Sequence, residues 1–173
     1  KEIEMRKLMH WYLLSSVLLA TNAWAQSVYE SRSGLYQLRV PQAWSVIKQG
    51  GREDVVIAPA GGIGRGSIYV VLSKSRGTLE DEAEYAFRGS QIQITAKRKV
   101  TVDRFSCLHL ATTSDRGVLQ NDVFCQFTAP YSEGPARVSF RIGQTIYPEE
   151  KARQETLFWE VVNSVKFLSI LTP

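Results

Sequence analysis

Apolar and polar positions alternate in short runs along most of this chain, and clusters of Gly, Pro, Asn and Ser separate the runs. Leu35, Gln37 and Arg39 interleave with Tyr36, Leu38 and Val40, the period-two signature of a strand with one buried face. The same pattern predicts strands over Val28–Ser31, Leu35–Val40, Trp44–Ile47, Asp54–Ala58, Ser67–Ser73, Lys97–Asp103, Phe105–Thr113, Val118–Thr128 and Ala136–Ile142. The Ile68–Leu72 stretch is apolar throughout and reads as a central strand. The last four runs follow one another as a meander. Gln49-Gly50-Gly51-Arg52 and Gly61–Gly66 read as loops.

Two segments break the alternation. Thr78 is an N-cap with Asp81 three residues on, and Glu80, Asp81 and Glu82 suit the positive end of a helix dipole. Leu79, Ala83, Ala86 and Phe87 then line one helical face, and the helix is expected to run past Gly89 toward Ile94. Pro148 opens a second helix, followed by Glu149 and Glu150, with Ala152, Thr156, Trp159 and Val162 along one side. Strands with two inserted helices predict one α+β domain over residues 26–173, an antiparallel sheet of about six to eight strands with both helices packed on its faces as an α/β/α sandwich.

The opening Gly34-Leu35-Tyr36-Gln37-Leu38-Arg39-Val40-Pro41-Gln42-Ala43-Trp44, the acidic Thr78-Leu79-Glu80-Asp81 and the closing Val162-Asn163-Ser164-Val165-Lys166-Phe167 together resemble the PsbP/Mog-type fold family. That family includes a photosystem II extrinsic subunit, a yeast Ran-binding protein and exported bacterial proteins of the DcrB group. The resemblance implies an antiparallel sheet with helices on its faces. Its members on this fold do different things, so it implies no single activity.

The first 25 residues have another character. Arg6 and Lys7 precede an apolar stretch from Leu8 to Ala20, and Ala23-Trp24-Ala25 supplies small residues before Gln26. This is the layout of a secretory signal peptide starting at Met5, with Lys1–Glu4 upstream and cleavage near Ala25-Gln26. His10, Ser15, Ser16, Thr21 and Asn22 interrupt the run and disfavour the alternative of a retained anchor. The expected location is periplasmic or extracellular, with no stable membrane span after cleavage. Cleavage removes three cations and two carboxylates, lowering a formal net charge of +4 by one. That mild charge, outside the cytoplasm, is no nucleic-acid signature. Hydrophobic residues make up 44% of the chain, enough for a packed core and too many for a disordered one.

Cys107 and Cys125 lie symmetrically about Arg116, inside the turn-like Thr113-Ser114-Asp115-Arg116-Gly117. A hairpin centred there sets the two cysteines opposite each other, close enough for a disulfide. Two buried free thiols are the alternative, and a redox-active pair would want a Cys-x-x-Cys spacing that is absent.

Export leaves one histidine, His109, which sits mid-strand in phase with Cys107 and reads as structural. One His and two Cys at these spacings do not make a zinc site. The Gly61–Gly66 loop with Arg65 could cradle an anion, yet it lacks the Lys-Ser/Thr of a phosphate loop and reads as a hairpin connection. Glu80, Asp81, Glu82, Glu84, Glu149 and Glu150 are explained by helix starts before any acid–base role. No catalytic residue, metal or cofactor is expected.

The remaining candidates form a partner surface: Lys97, Arg98, Lys99 and Arg104, with Trp44 if it is exposed. The basic triplet reads either as a solvated strand edge that discourages aggregation or as a patch for an acidic partner or anionic lipid. Trp44 and Trp159 read otherwise as core aromatics. The leading expectation is an exported, non-enzymatic binding or accessory module for an envelope protein. A small-ligand carrier, with a cleft between the sheet and the C-terminal helix, is the first alternative, and an unrecognised hydrolase the second.

Overall fold

A computed structural model describes residues 26–48, 55–64, 66–131 and 134–171. The leader, the Gln49–Arg52 loop and Arg65 lie outside the described residues. Ten strands are found: β1 Ser27–Glu30, β2 Tyr36–Val40, β3 Trp44–Lys48, β4 Val55–Pro59, β5 Ile68–Lys74, β6 Ile92–Val102, β7 Phe105–Ser114, β8 Leu119–Tyr131, β9 Gly134–Ile146 and β10 Lys166–Phe167. Helix α1 spans Leu79–Phe87, and a 3-10 turn at Pro148–Glu150 leads into α2, Lys151–Ser164.

Two antiparallel sheets result. The larger has seven strands in the order β3-β4-β5-β9-β8-β7-β6, and the smaller has the order β1-β2-β10. The expected meander occupies half of the larger sheet. The single sheet expected from the sequence is therefore two. β2 leaves the main layer and packs beside α2, with Arg39 N donating to Ser164 Oγ (2.9 Å) and Leu168 N to Leu35 O (2.8 Å).

Each face of the large sheet carries its own apolar cluster. On one side Ile57, Val70, Val123, Phe127, Phe140 and Ile142 pack against β2 and the Phe158, Val161 and Val162 face of α2. On the other, Leu108, Leu110 and Phe124 pack against Ala83, Ala86 and Phe87 of α1. The interface between the sheet and α2 is filled: Tyr36, Phe140, Phe158 and Val162 are fully buried. Where α2 lies on the large sheet, these side chains fill the space.

The β7–β8 register is the one drawn from the turn. Leu108 pairs with Phe124, His109 with Val123 and Thr113 with Leu119, and Ser114 N donates to Val118 O across the turn. Cys107 and Cys125 meet one step further along, with Cα atoms 4.5 Å apart, and form a disulfide.

One expectation fails. The first helix does not continue toward Ile94. Arg88 turns to extended geometry (ψ 127°), Gly89 takes φ 78°, and β6 begins at Ile92 rather than Lys97. A left-handed Gly ends helices readily, and the alternation of Ile92, Ile94 and Lys97 on one face completes the strand.

The disulfide closes a separation of 18 residues, so Cys107→Ala/Cys125→Ala is expected to lower unfolding free energy by about 3 kcal/mol. Urea denaturation of this variant beside the oxidised parent measures the loss.

Candidate binding surface

α1 is positioned by its own cap. Thr78 Oγ1 accepts from Asp81 N (3.2 Å), and Asp81 Oδ2 accepts from Thr78 N (2.7 Å). These hydrogen bonds, the one from the Thr78 backbone foremost, hold the Asp81 carboxyl below its ordinary range. Glu82 Oε1 also accepts from Arg76 N, tying the helix to the preceding loop. The helix is only nine residues long. It covers β7 and β8 and stops short of the outer edge of β6.

A groove of about 400 Å³ opens along that gap. Ala83, Phe87, Leu110, Ile92 and Ile94 make its apolar surface, with Glu80 and Glu84 on the helix wall and Lys97 on the strand wall. Ile94 is 54% exposed and Tyr85 of α1 is 49% exposed. A larger groove of about 660 Å³ lies between β2 and α2, where Val28, Leu38 and Val161 are mixed with the charged Arg39, Glu160 and Lys166. The smaller groove offers the surface that water solvates worst, and such surfaces mark binding sites.

The predicted surface residues do not converge as one patch. Trp44 is half-buried on β3, at the opposite edge of the large sheet, and packs against the core. Arg104 sits in the β6–β7 turn, 3.8 Å from Asp103. Lys97 pairs with Leu110 and Lys99 with Leu108, so both lie on the α1 face, while Arg98 pairs with His109 on the α2 face. A strand alternates its side chains, so three consecutive cations cannot share a face.

His109 is buried at 4% exposure, and both ring nitrogens are engaged. Arg98 Nε donates to Nδ1 (3.1 Å), which leaves the ring proton on Nε2 to donate to Asn121 Oδ1 (3.0 Å). Trp159 stacks edge-on at 4.9 Å. Burial, reinforced by the Arg98 charge, lowers the His109 pKa below its usual value, and the Asn121 bond opposes this only in part. The arrangement clamps α2 to the sheet edge.

A second polar cluster had no sequence signal. Asp122, fully buried on β8, accepts from Tyr69 Oη and from Arg141 Nε (2.8 Å). Tyr69 Oη in turn accepts from Gln120 Nε2 (2.6 Å) and Arg141 Nη2 (2.9 Å). The Arg141 guanidinium lies between 5.1 and 5.3 Å from the rings of Tyr69, Phe87 and Phe124. Burial first, then the Asp122 charge, pushes the Tyr69 phenol far up, so it stays a donor. Gly143 makes the cluster possible, because a Cβ there would run into Asp122 Oδ1 and the Tyr69 hydroxyl. These residues come from β5, β8 and β9, and nothing in their spacing along the chain announces the contact. Among the described residues no group of three or more His, Cys, Asp or Glu converges on a metal position.

No protein-family model matches this chain, and no curated protein sequence matches it. Solved structures do. The chain superposes on LpqN of Mycobacterium tuberculosis, a protein involved in cell envelope biogenesis, with TM-score 0.56 and 13% identity over 85% of this chain and 87% of that one. Cyanobacterial PsbP of Synechocystis sp. PCC 6803 gives TM-score 0.57 and 14% identity over 85% and 95%. A point mutant of the protein Mog1 gives 0.51 and 12% over 83% and 96%.

The fold is of the PsbP/Mog type. At these identities the likeness to PsbP, Mog1 and LpqN carries the architecture and leaves the chemistry to this chain's own residues. What this PsbP/Mog-type chain presents is an apolar groove beside a basic strand edge.

Two outcomes follow from the polar clusters. A depressed His109 pKa gives stability that is fully present above the unfolded value of about 6.5 and lost as pH falls through the folded value. The melting temperature should therefore drop as pH falls below about 6.5 in the wild type and drop less in His109→Gln, read by calorimetry at each pH. Gly143→Ala should cost about 1–3 kcal/mol in urea denaturation through overpacking against Tyr69 and Asp122.

Proposed function

We propose that this protein is an exported, non-enzymatic binding module of the cell envelope that engages a partner through the α1–β6 groove. The groove carries the reading: an exposed Ile94 stands beside an apolar floor of Phe87, Leu110 and Ile92 on an otherwise well-packed domain. Apolar surface left open in this way is repaid when a partner covers it. Support for export comes from the leader pattern and from the Cys107–Cys125 bridge, since disulfides persist in oxidising compartments. Among the described residues no helix is long and apolar enough to cross a membrane. LpqN, which shares this architecture, is involved in cell envelope biogenesis. A binding role is also consistent with His109, whose nitrogens are both spent on structure.

A photo-crosslinking residue placed at Ile94 should capture a defined partner band in native envelope fractions. The same residue at Val28, which is 62% exposed on β1 of the smaller sheet, should not. Excess unlabelled wild-type protein should compete the band away, and excess Ile94→Asp should not. Equal capture at both positions, or none at Ile94, would overturn the assignment.

A further inference from the structure

The binding reading above leaves open what kind of partner fits, and the open edge of β6 speaks to that. β6 ends the seven-stranded order and pairs with β7 alone, so its outer side presents a row of backbone donors and acceptors. It is 11 residues long, and every residue from Gln93 to Lys99 is exposed. The register shift between Ile94 and Ala96 is tied to the strand's own sheet, with Thr95 Oγ1 donating to Ala111 O (3.1 Å). The irregularity therefore sits against β7.

The edge is also charged in one sense. Lys97, Arg98 and Lys99 follow in succession, and none makes an ion pair among the described residues. Their alternation puts cations on both faces of the edge. A neutral strand gains nothing from them. A second copy of β6, paired antiparallel, would crowd two cationic triplets into one short seam. An acidic strand gains a cross-strand ion pair on each face. Beside this triplet, on the α1 face, Ile94 opens onto the groove floored by Phe87, Leu110 and Ile92.

Resting on that binding reading, we propose that the partner is an extended acidic peptide segment that adds to β6 as an eighth strand. Its carboxylates oppose Lys97, Arg98 and Lys99, and an apolar side chain two residues from the carboxylate opposite Lys97, as Thr112 is from Leu110 on β7, enters the groove. Main-chain hydrogen bonds along the edge supply affinity, while the charges and the groove supply selectivity.

The test uses the whole protein and a synthetic ten-residue peptide with a central Asp-Glu-Asp and one Leu two residues beyond the Asp that opposes Lys97, followed by fluorescence anisotropy. Saturable binding is expected. N-methylating one alternate set of peptide amides should weaken it by at least about tenfold, while methylating the other set, which faces solvent, should not. Lys97→Glu/Lys99→Glu should weaken binding by about tenfold and shift preference to a Lys-Arg-Lys peptide. Equal binding by both methylated peptides and the parent would overturn the added strand. Binding to phosphatidylglycerol vesicles without binding to the peptide would assign the cations to a lipid surface and overturn it too. Loss of peptide binding with the Ile94 crosslink intact sinks this inference alone. Loss of both sinks the binding module as well.

Discussion

The pairing of β7 with β8 decides which side chains face α2 and which face α1. In the observed register Cys107, His109, Val123 and Cys125 point to the α2 side, and Leu108, Leu110, Asp122 and Phe124 point to the α1 side. Side chains repeat every two residues on a strand, so a slip of one would exchange both sets. Such a slip would carry Asp122 into the larger apolar cluster and pull Phe124 from beneath α1. The disulfide locks the hairpin in its working register from the α2 side. Everything on either face depends on that lock being set correctly.

From this parity the two faces acquire different characters. On the α2 face β2, α2 and the large sheet share one large cluster, and the Arg98–His109–Asn121 chain with Trp159 pins the helix to the sheet edge. The α1 face is only half covered. A nine-residue helix cannot shield seven strands, and the deficit shows as the groove at Ile94 and the uncovered β6 edge. Toward β5 and β9 the same face solves the problem differently, by filling itself with the Tyr69–Asp122–Arg141 cluster. Burying a charge is tolerable there because Arg141 and Tyr69 both donate to the carboxylate or to each other. The fold thus concentrates its exposed apolar surface at one place beside its densest positive charge.

Much of this was legible in the chain. The period-two runs, the capping box at Thr78–Asp81 and Pro148 before the last helix located most elements because each is a local signal, set by residues within a turn or two. The cysteine spacing about Arg116 yielded the hairpin register for the same reason. Where local signals competed, the reading went astray. Ile92 and Ile94 suited a longer helix as well as a strand, and Gly89 with its positive φ settled the matter. The basic triplet reads as one patch along the chain, although a strand over Lys97–Asp103 already splits consecutive side chains between faces.

By itself, then, the sequence determined the α+β class, the order of most elements and the hairpin register that sets Cys107 opposite Cys125, because these rest on periodicity and on contacts close along the chain. Only the tertiary structure decided that the strands divide into two sheets, that Trp44 and Lys97 stand at opposite edges, that Gly143 makes room for Tyr69 beside Asp122, and that the groove with the apolar floor lies between α1 and β6. Each of these depends on which distant strands become neighbours. Local pattern does not encode that choice, which is settled by how the two apolar faces of the sheet are buried.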